Sequence, residues 1–142
     1  MTLLRVTGLA AGYGPVKVLD GLDLVVNEGE IVVMLGANGA GKTTTLRALS
    51  GVIQRAGAIE LSGVDISKAT PETIVRAGMV QVPQGRGTLP ELTVEDNLRV
   101  GGLVQPARLY QQDCDRVIAL FPRLGERLKS LAGNLSGGEQ QM

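Results

Sequence analysis

Residues 36–43 read GANGAGKT, and the pattern G-x-x-x-x-G-K-[ST] is met by Gly36, Gly41, Lys42 and Thr43. Each position answers a physical demand. Glycines, with Gly39 and Asn38 between the fixed positions, let the backbone wrap closely round phosphates so that several N–H groups point inward. A helix following the loop adds the positive end of its dipole. Lys42 brings a point charge for the β and γ phosphates, Thr43 a hydroxyl for Mg²⁺, and Thr44 support for the α phosphate. The pattern therefore points to a bound nucleoside triphosphate, with ATP and Mg²⁺ as the expected ligands. Upstream, Ile31-Val32-Val33-Met34-Leu35 is a continuous apolar run, which predicts a strand buried on both faces of a parallel sheet. Downstream, TTTLRALSG predicts a helix with Leu46 and Leu49 on one face and Gly51 as its stop. Strand, phosphate loop and helix then follow in the order that the motif requires.

Farther out, Leu3 to Val6 and Leu22 to Val26 predict strands, as does Ala58 to Leu61. Thr70-Pro71 predicts a helix start, with Thr as N-cap and Pro at the first helical position. Met79 to Val82 predicts one more strand. From residue 92 the character changes to successive helices. Thr93 to Asp96 has capping-box spacing, and Tyr110, Cys114, Val117 and Phe121 form one apolar stripe in which Cys114 simply packs.

Composition narrows the class. A chain of 142 residues is the size of one domain. Its 14 Lys plus Arg balance 14 Asp plus Glu, so no basic field attracts nucleic acid, which is not an expected partner. One cysteine excludes an internal disulfide and a Cys-built zinc site, and fits a reducing compartment. No apolar run near the loop approaches the roughly 20 residues of a spanning helix. The N-terminus lacks the charged leader and apolar stretch of a secretion signal. The expected location is the cytoplasm.

At 135–140 the sequence reads LSGGEQ. Together with the phosphate loop, and with AGYG, VPQGRG, LTVEDNL and FPRLGER in the same order, it resembles the ATP-binding subunits of ABC transporters, with details similar to those of branched-chain amino acid importers. The resemblance implies an α/β fold: a P-loop NTPase core with an antiparallel β subdomain and a helical subdomain, truncated at its C-terminus. It divides the chain into a β subdomain with phosphate-loop core over 1–91, a helical subdomain over 92–134 and the signature over 135–142. It implies that Tyr13 stacks on adenine, a role for which a π face is suited. It implies that Gln84 is catalytic, sensing Mg²⁺ and the attacking water, and that Thr43 and Gln84 are the metal-side residues. It implies that Ser136, Gly137 and Gly138 approach the γ phosphate held by a second ATP-binding subunit, in a head-to-tail dimer. Ser136 and Glu139 independently show capping-box spacing, which predicts a helix start with anion-binding N–H groups.

The partners so implied are membrane-embedded permease subunits and a second ATP-binding subunit, with the chain peripheral on the inner face of the cell membrane. The sequence ends at Met142, and it contains no histidine. By the resemblance, the Mg²⁺-binding Asp, the catalytic Glu and the switch His would lie beyond that point, so negligible hydrolysis is expected of these residues alone. Two readings from other classes stand beside the importer subunit. A P-loop kinase or GTPase would share GANGAGKT but has no use for LSGGEQ, and a nucleotide-binding fragment without hydrolysis would use the loop alone. Within the importer reading, urea or another small polar solute is the alternative cargo.

Overall fold

The computed structural model describes residues 1–85 and 87–142; Arg86 of the VPQGRG motif lies outside the described residues. The chain forms two compact units, Met1–Gln81 and Val82–Met142, which meet earlier in the sequence than the change of character at residue 92.

The first unit is built on an antiparallel sheet of order β2-β1-β3-β4, with β1 Thr2–Tyr13, β2 Val16–Asn27, β3 Arg55–Leu61 and β4 Val64–Asp65. The first two strands, 12 residues each, are more than twice as long as the apolar runs predict, and β1 changes face part-way. Leu4 and Val6 are buried, and so are Leu9 and Ala11, so the inward positions slip from even to odd between them. A register shift between Val6 and Leu9 absorbs the extra residue, as a β-bulge does. The Gly8 N–H freed there donates to Asp23 Oδ1 at 2.6 Å. On the other side the bulge presses against Gly57, which has φ 105°; a Cβ at that position would lie 2.6 Å from the Gly8 carbonyl oxygen. Only glycine meets both conditions.

Two helices pack with this sheet. Helix α1, Lys42–Leu49, buries Thr44, Thr45, Ala48 and Leu49, whereas Leu46 is half exposed, so the inward stripe runs through Thr45, Ala48 and Leu49 rather than through the expected Leu46 and Leu49 pair. Helix α2, Pro71–Arg76, starts as the sequence predicts: Thr70 Oγ1 accepts from the Thr73 N–H at 3.3 Å, and Pro71 occupies the first turn. Ile74, fully buried, ties α2 into the core of Val6, Leu9, Ile59 and Ile66.

One side chain closes this unit in a way that no motif announces. Arg55 opens β3, and its guanidinium donates to four carbonyl oxygens: Ala48 and Ser67 at 3.0 Å, Ile66 at 2.9 Å and Ala69 at 3.0 Å. It thereby joins the end of α1 to the segment leading into α2. Partial burial lowers its pKa, the expected direction for a desolvated cation.

Two predicted strands are corrected. Ile31 to Leu35 forms no strand and is exposed, with Ile31 at 91% and Leu35 at 87%. Met79 to Val82 likewise has no strand geometry; Val80 and Val82 are exposed, and only Met79 packs against the core. A parallel strand exists only where a neighbour accepts its ladder of N–H and C=O groups. Among the described residues all pairing is antiparallel, and none involves these two runs. Apolar character alone does not supply the partner.

The second unit is helical. Helix α3, Val94–Gly101, is capped by Thr93, whose Oγ1 accepts from the Asp96 N–H at 3.1 Å and donates to Asp96 Oδ2 at 2.6 Å. The cap forms at the predicted place, with the Asp96 carboxylate accepting a hydrogen bond from the Thr93 hydroxyl where a full capping box would have it accept from the Thr93 N–H. The following helix begins as a 3-10 turn at Ala107–Leu109 and continues as α4, Tyr110–Leu120, with a short α5 at Pro122–Gly125. Val117 and Phe121 of the predicted stripe pack on the small core of Val94, Leu124 and Leu135. Tyr110 and Cys114, both half-buried, line an apolar cavity of about 280 Å³ together with Leu98.

Candidate nucleotide site

Residues 36–41 run as an irregular loop into α1, so the loop-to-helix half of the expected motif is formed and the preceding strand is not. Asn38, Gly39, Gly41, Lys42, Thr43 and Thr44 line a depression of about 180 Å³. Gly41, the N-cap, has φ 94°, and a Cβ there would meet Leu19 Cδ2 at 2.8 Å, so the chain can turn into the helix only because this residue has no side chain. No side chain caps α1, which leaves its first N–H groups directed at the depression. Thr45 does not compete for them, since its Oγ1 donates back to the Gly41 carbonyl at 3.0 Å.

The Lys42 ammonium donates to the Gly36 carbonyl and, at 2.8 Å, to the Ala37 carbonyl. It is thus held across the mouth of the loop by neutral acceptors that an anionic oxygen would outcompete. Thr43 is exposed at the rim, whereas Thr44 is buried. Glycine backbone, free helix N–H groups, one ammonium and one exposed hydroxyl fit a polyphosphate. Among the described residues no group of three or more His, Cys, Asp or Glu could hold a metal by itself. A Mg²⁺ ion here would be held chiefly by phosphate oxygens, with Thr43 as the protein oxygen, which suits a cation that keeps most of its waters.

Tyr13 ends β1 within the same unit and is 41% exposed. Its hydroxyl receives a hydrogen bond from Arg47 Nη1 at 3.5 Å, and the Arg47 guanidinium lies over the ring, 5.7 Å from the centroid. The pKa of Tyr13 is lowered, first by a hydrogen bond with the Thr44 side chain and then by Arg47, because both favour the phenolate. The ring is therefore tied to α1 near the phosphate loop. Arg47 had no sequence signal beyond lying in the last turn of a helix that begins at the motif.

Gln84 and Ser136 to Gly138 belong to the second unit. Gln84 is exposed on a broad hollow of about 590 Å³ lined also by Thr88, Gln140 and Gln141. Ser136 and Glu139 make the reciprocal pair that their spacing predicts: the Ser136 N–H donates to Glu139 Oε2 at 2.8 Å, and the Glu139 N–H donates to Ser136 Oγ at 3.3 Å. The helix they start is a 3-10 turn, Glu139–Gln141. Gln140 Nε2 anchors it by donating to the Ala132 and Leu135 carbonyls, each at 3.0 Å. Ser136, Gly137 and Gly138 are all exposed.

The Glu139 carboxyl is held below the usual glutamate range, first by the Ser136 N–H, then by the Ser136 hydroxyl, with Arg127 and Arg123 adding attraction. A depressed carboxylate stabilises the turn at pH values above its unfolded pKa, and that contribution disappears as pH falls through its folded pKa. NMR titration is expected to place the Glu139 carboxyl below an ordinary glutamate. Ser136→Ala is expected to move it back toward the ordinary range.

Residues 19–142 match the family described as ABC transporter. The chain is 45% identical over 92% of its length to a high-affinity branched-chain amino acid transport ATP-binding protein of Pseudomonas aeruginosa, covering 56% of that protein. It is 37% identical over 99% of its length to an arabinose import ATP-binding protein of Azospirillum brasilense, covering 28% of it. A solved structure of an ATP-binding subunit of an ABC transporter superposes on 98% of the chain with a TM-score of 0.82 at 33% identity, the chain covering 58% of that subunit. The chain thus spans little more than half the length of the first of these relatives. The phosphate loop, the capped turn at Ser136, the fold and the family match agree, and the chain belongs to the ABC transporter family.

Proposed function

We propose that this chain is the nucleotide-binding part of an ABC importer's ATP-binding subunit, which couples binding and hydrolysis of ATP to uptake of a solute. The observation that carries this reading is the cradle at Asn38 to Thr44, with Lys42 held across its mouth. In it the loop and α1 N–H groups bind the phosphates, Lys42 neutralises the β and γ oxygens, and Thr43 faces Mg²⁺. The metal, when bound, offsets charge on the phosphoryl group to be transferred. Tyr13 provides the platform for adenine. Gln84 orients Mg²⁺ and the attacking water, and the exposed Ser136 to Gly138 turn completes the site on a second ATP-binding subunit.

A kinase or GTPase reading explains the cradle but leaves the Ser136 and Glu139 turn without a purpose. Branched-chain amino acids are the proposed cargo, supported by the 45% identity to the Pseudomonas protein against 37% to the arabinose importer's subunit. The proposed setting is the inner face of the cell membrane, against permease subunits. Among the described residues no helix is long and apolar enough to cross the membrane.

Uptake of labelled leucine and arabinose, measured in cells of the source organism carrying wild-type protein or Lys42→Ala, tests the assignment. Leucine uptake is expected to fall to background with arabinose uptake unchanged. Loss of arabinose uptake alone would transfer the cargo to sugars, and unchanged uptake of both would remove the importer reading for these solutes.

A further inference from the structure

Arg47 lies in the last turn of α1, the helix whose first residue is Lys42, and its side chain reaches back to Tyr13 on β1. The contact has two parts: a cation over one ring face at 5.7 Å and a hydrogen bond to the hydroxyl at 3.5 Å. Together they fix both the plane and the rotation of a ring that ends a strand beside a turn and would otherwise pivot about its side-chain torsions. A guanidinium on one face leaves the opposite face to a flat ligand, and the ring remains 41% exposed. An ordinary cation near a helix C-terminus would answer the dipole from any rotamer and would have no reason to cover an aromatic face.

We infer that Arg47 is a positioning residue for the nucleotide base: it holds the Tyr13 ring against α1, so that the base platform keeps a fixed place relative to the phosphate loop at the start of the same helix. This rests on the reading of that loop as an ATP site. A preordered platform costs less to immobilise on binding, and a cation–π contact at an exposed site adds a comparable amount.

The test is calorimetric titration of the protein with ATP and, separately, with inorganic tripolyphosphate, which engages the loop but offers no base. Arg47→Ala is expected to weaken ATP by about two- to tenfold while leaving tripolyphosphate unchanged within twofold. Arg47→Lys, which keeps a cation, should fall between wild type and Arg47→Ala. In a Tyr13→Leu background, Arg47→Ala should have no further effect on ATP. Equal weakening of both ligands, no weakening of ATP, or an undiminished Arg47 effect in the Tyr13→Leu background would overturn the inference while leaving the phosphate loop intact. A wild-type protein that binds neither ligand overturns the loop reading, and this inference falls with it.

Discussion

Lys42→Ala is expected to weaken ATP binding by on the order of 100-fold or more, because a hydrogen bond to a charged group is worth about 1.5–3 kcal/mol and the ammonium can serve two phosphates. The fold should hardly notice. In the structure the Lys42 ammonium rests on the Gly36 and Ala37 carbonyls. Both belong to an exposed loop where water can replace the lost donor. A stability change within about 0.5 kcal/mol is therefore expected, as for a surface substitution. Lys42→Arg should not rescue, since a planar guanidinium is no substitute for a compact ammonium whose place is set by two carbonyls in a depression of about 180 Å³. Titration of the three proteins alongside their chemical unfolding separates loss of the site from loss of the fold. Tight ATP binding by Lys42→Ala would contradict the role given to the ammonium.

The second large effect is structural and lies at Arg55. Removing its guanidinium takes a charged donor from the carbonyls of Ala48, Ile66, Ser67 and Ala69 at once. The region is half-buried, so water replaces only some of these bonds, and Arg55→Ala should cost on the order of 3 kcal/mol. Arg55→Lys should recover little, because one ammonium cannot fan out to four acceptors that a planar fork reaches together. Thermal melting is the readout. With α1 losing its tie to the segment before α2, nucleotide affinity should also fall, although Arg55 touches no part of the cradle. A melting temperature equal to wild type would show that the four bonds are replaceable.

The sequence was most legible where a local hydrogen bond decides the structure. Thr70, Thr93 and the pair Ser136 and Glu139 each cap at the predicted residue, because a cap needs only a short oxygen-bearing side chain and an N–H three residues on. The loop was legible because it too is local: Gly41 is the N-cap of α1, and Lys42 and Thr43 open the helix. It was least legible where a residue depends on distant partners. Ile31 to Leu35 and Met79 to Val82 have strand composition but no neighbouring strand among the described residues, and they remain irregular. The bulge near Gly8 was hidden because the slip from Val6 to Leu9 looks like noise in an alternating pattern until Asp23 and Gly57 are seen to frame it. Arg55 and Arg47 carried no motif. Their significance comes from acceptors and a ring brought near by the fold.

The central claim is that the depression between Asn38 and Thr44 binds the phosphates of ATP. Calorimetric titration of the protein with ATP in the presence of Mg²⁺, repeated with excess tripolyphosphate, tests it most directly. Saturable binding of one nucleotide per chain, suppressed by tripolyphosphate, is the predicted result; absence of saturable heat, or binding indifferent to tripolyphosphate, would contradict it.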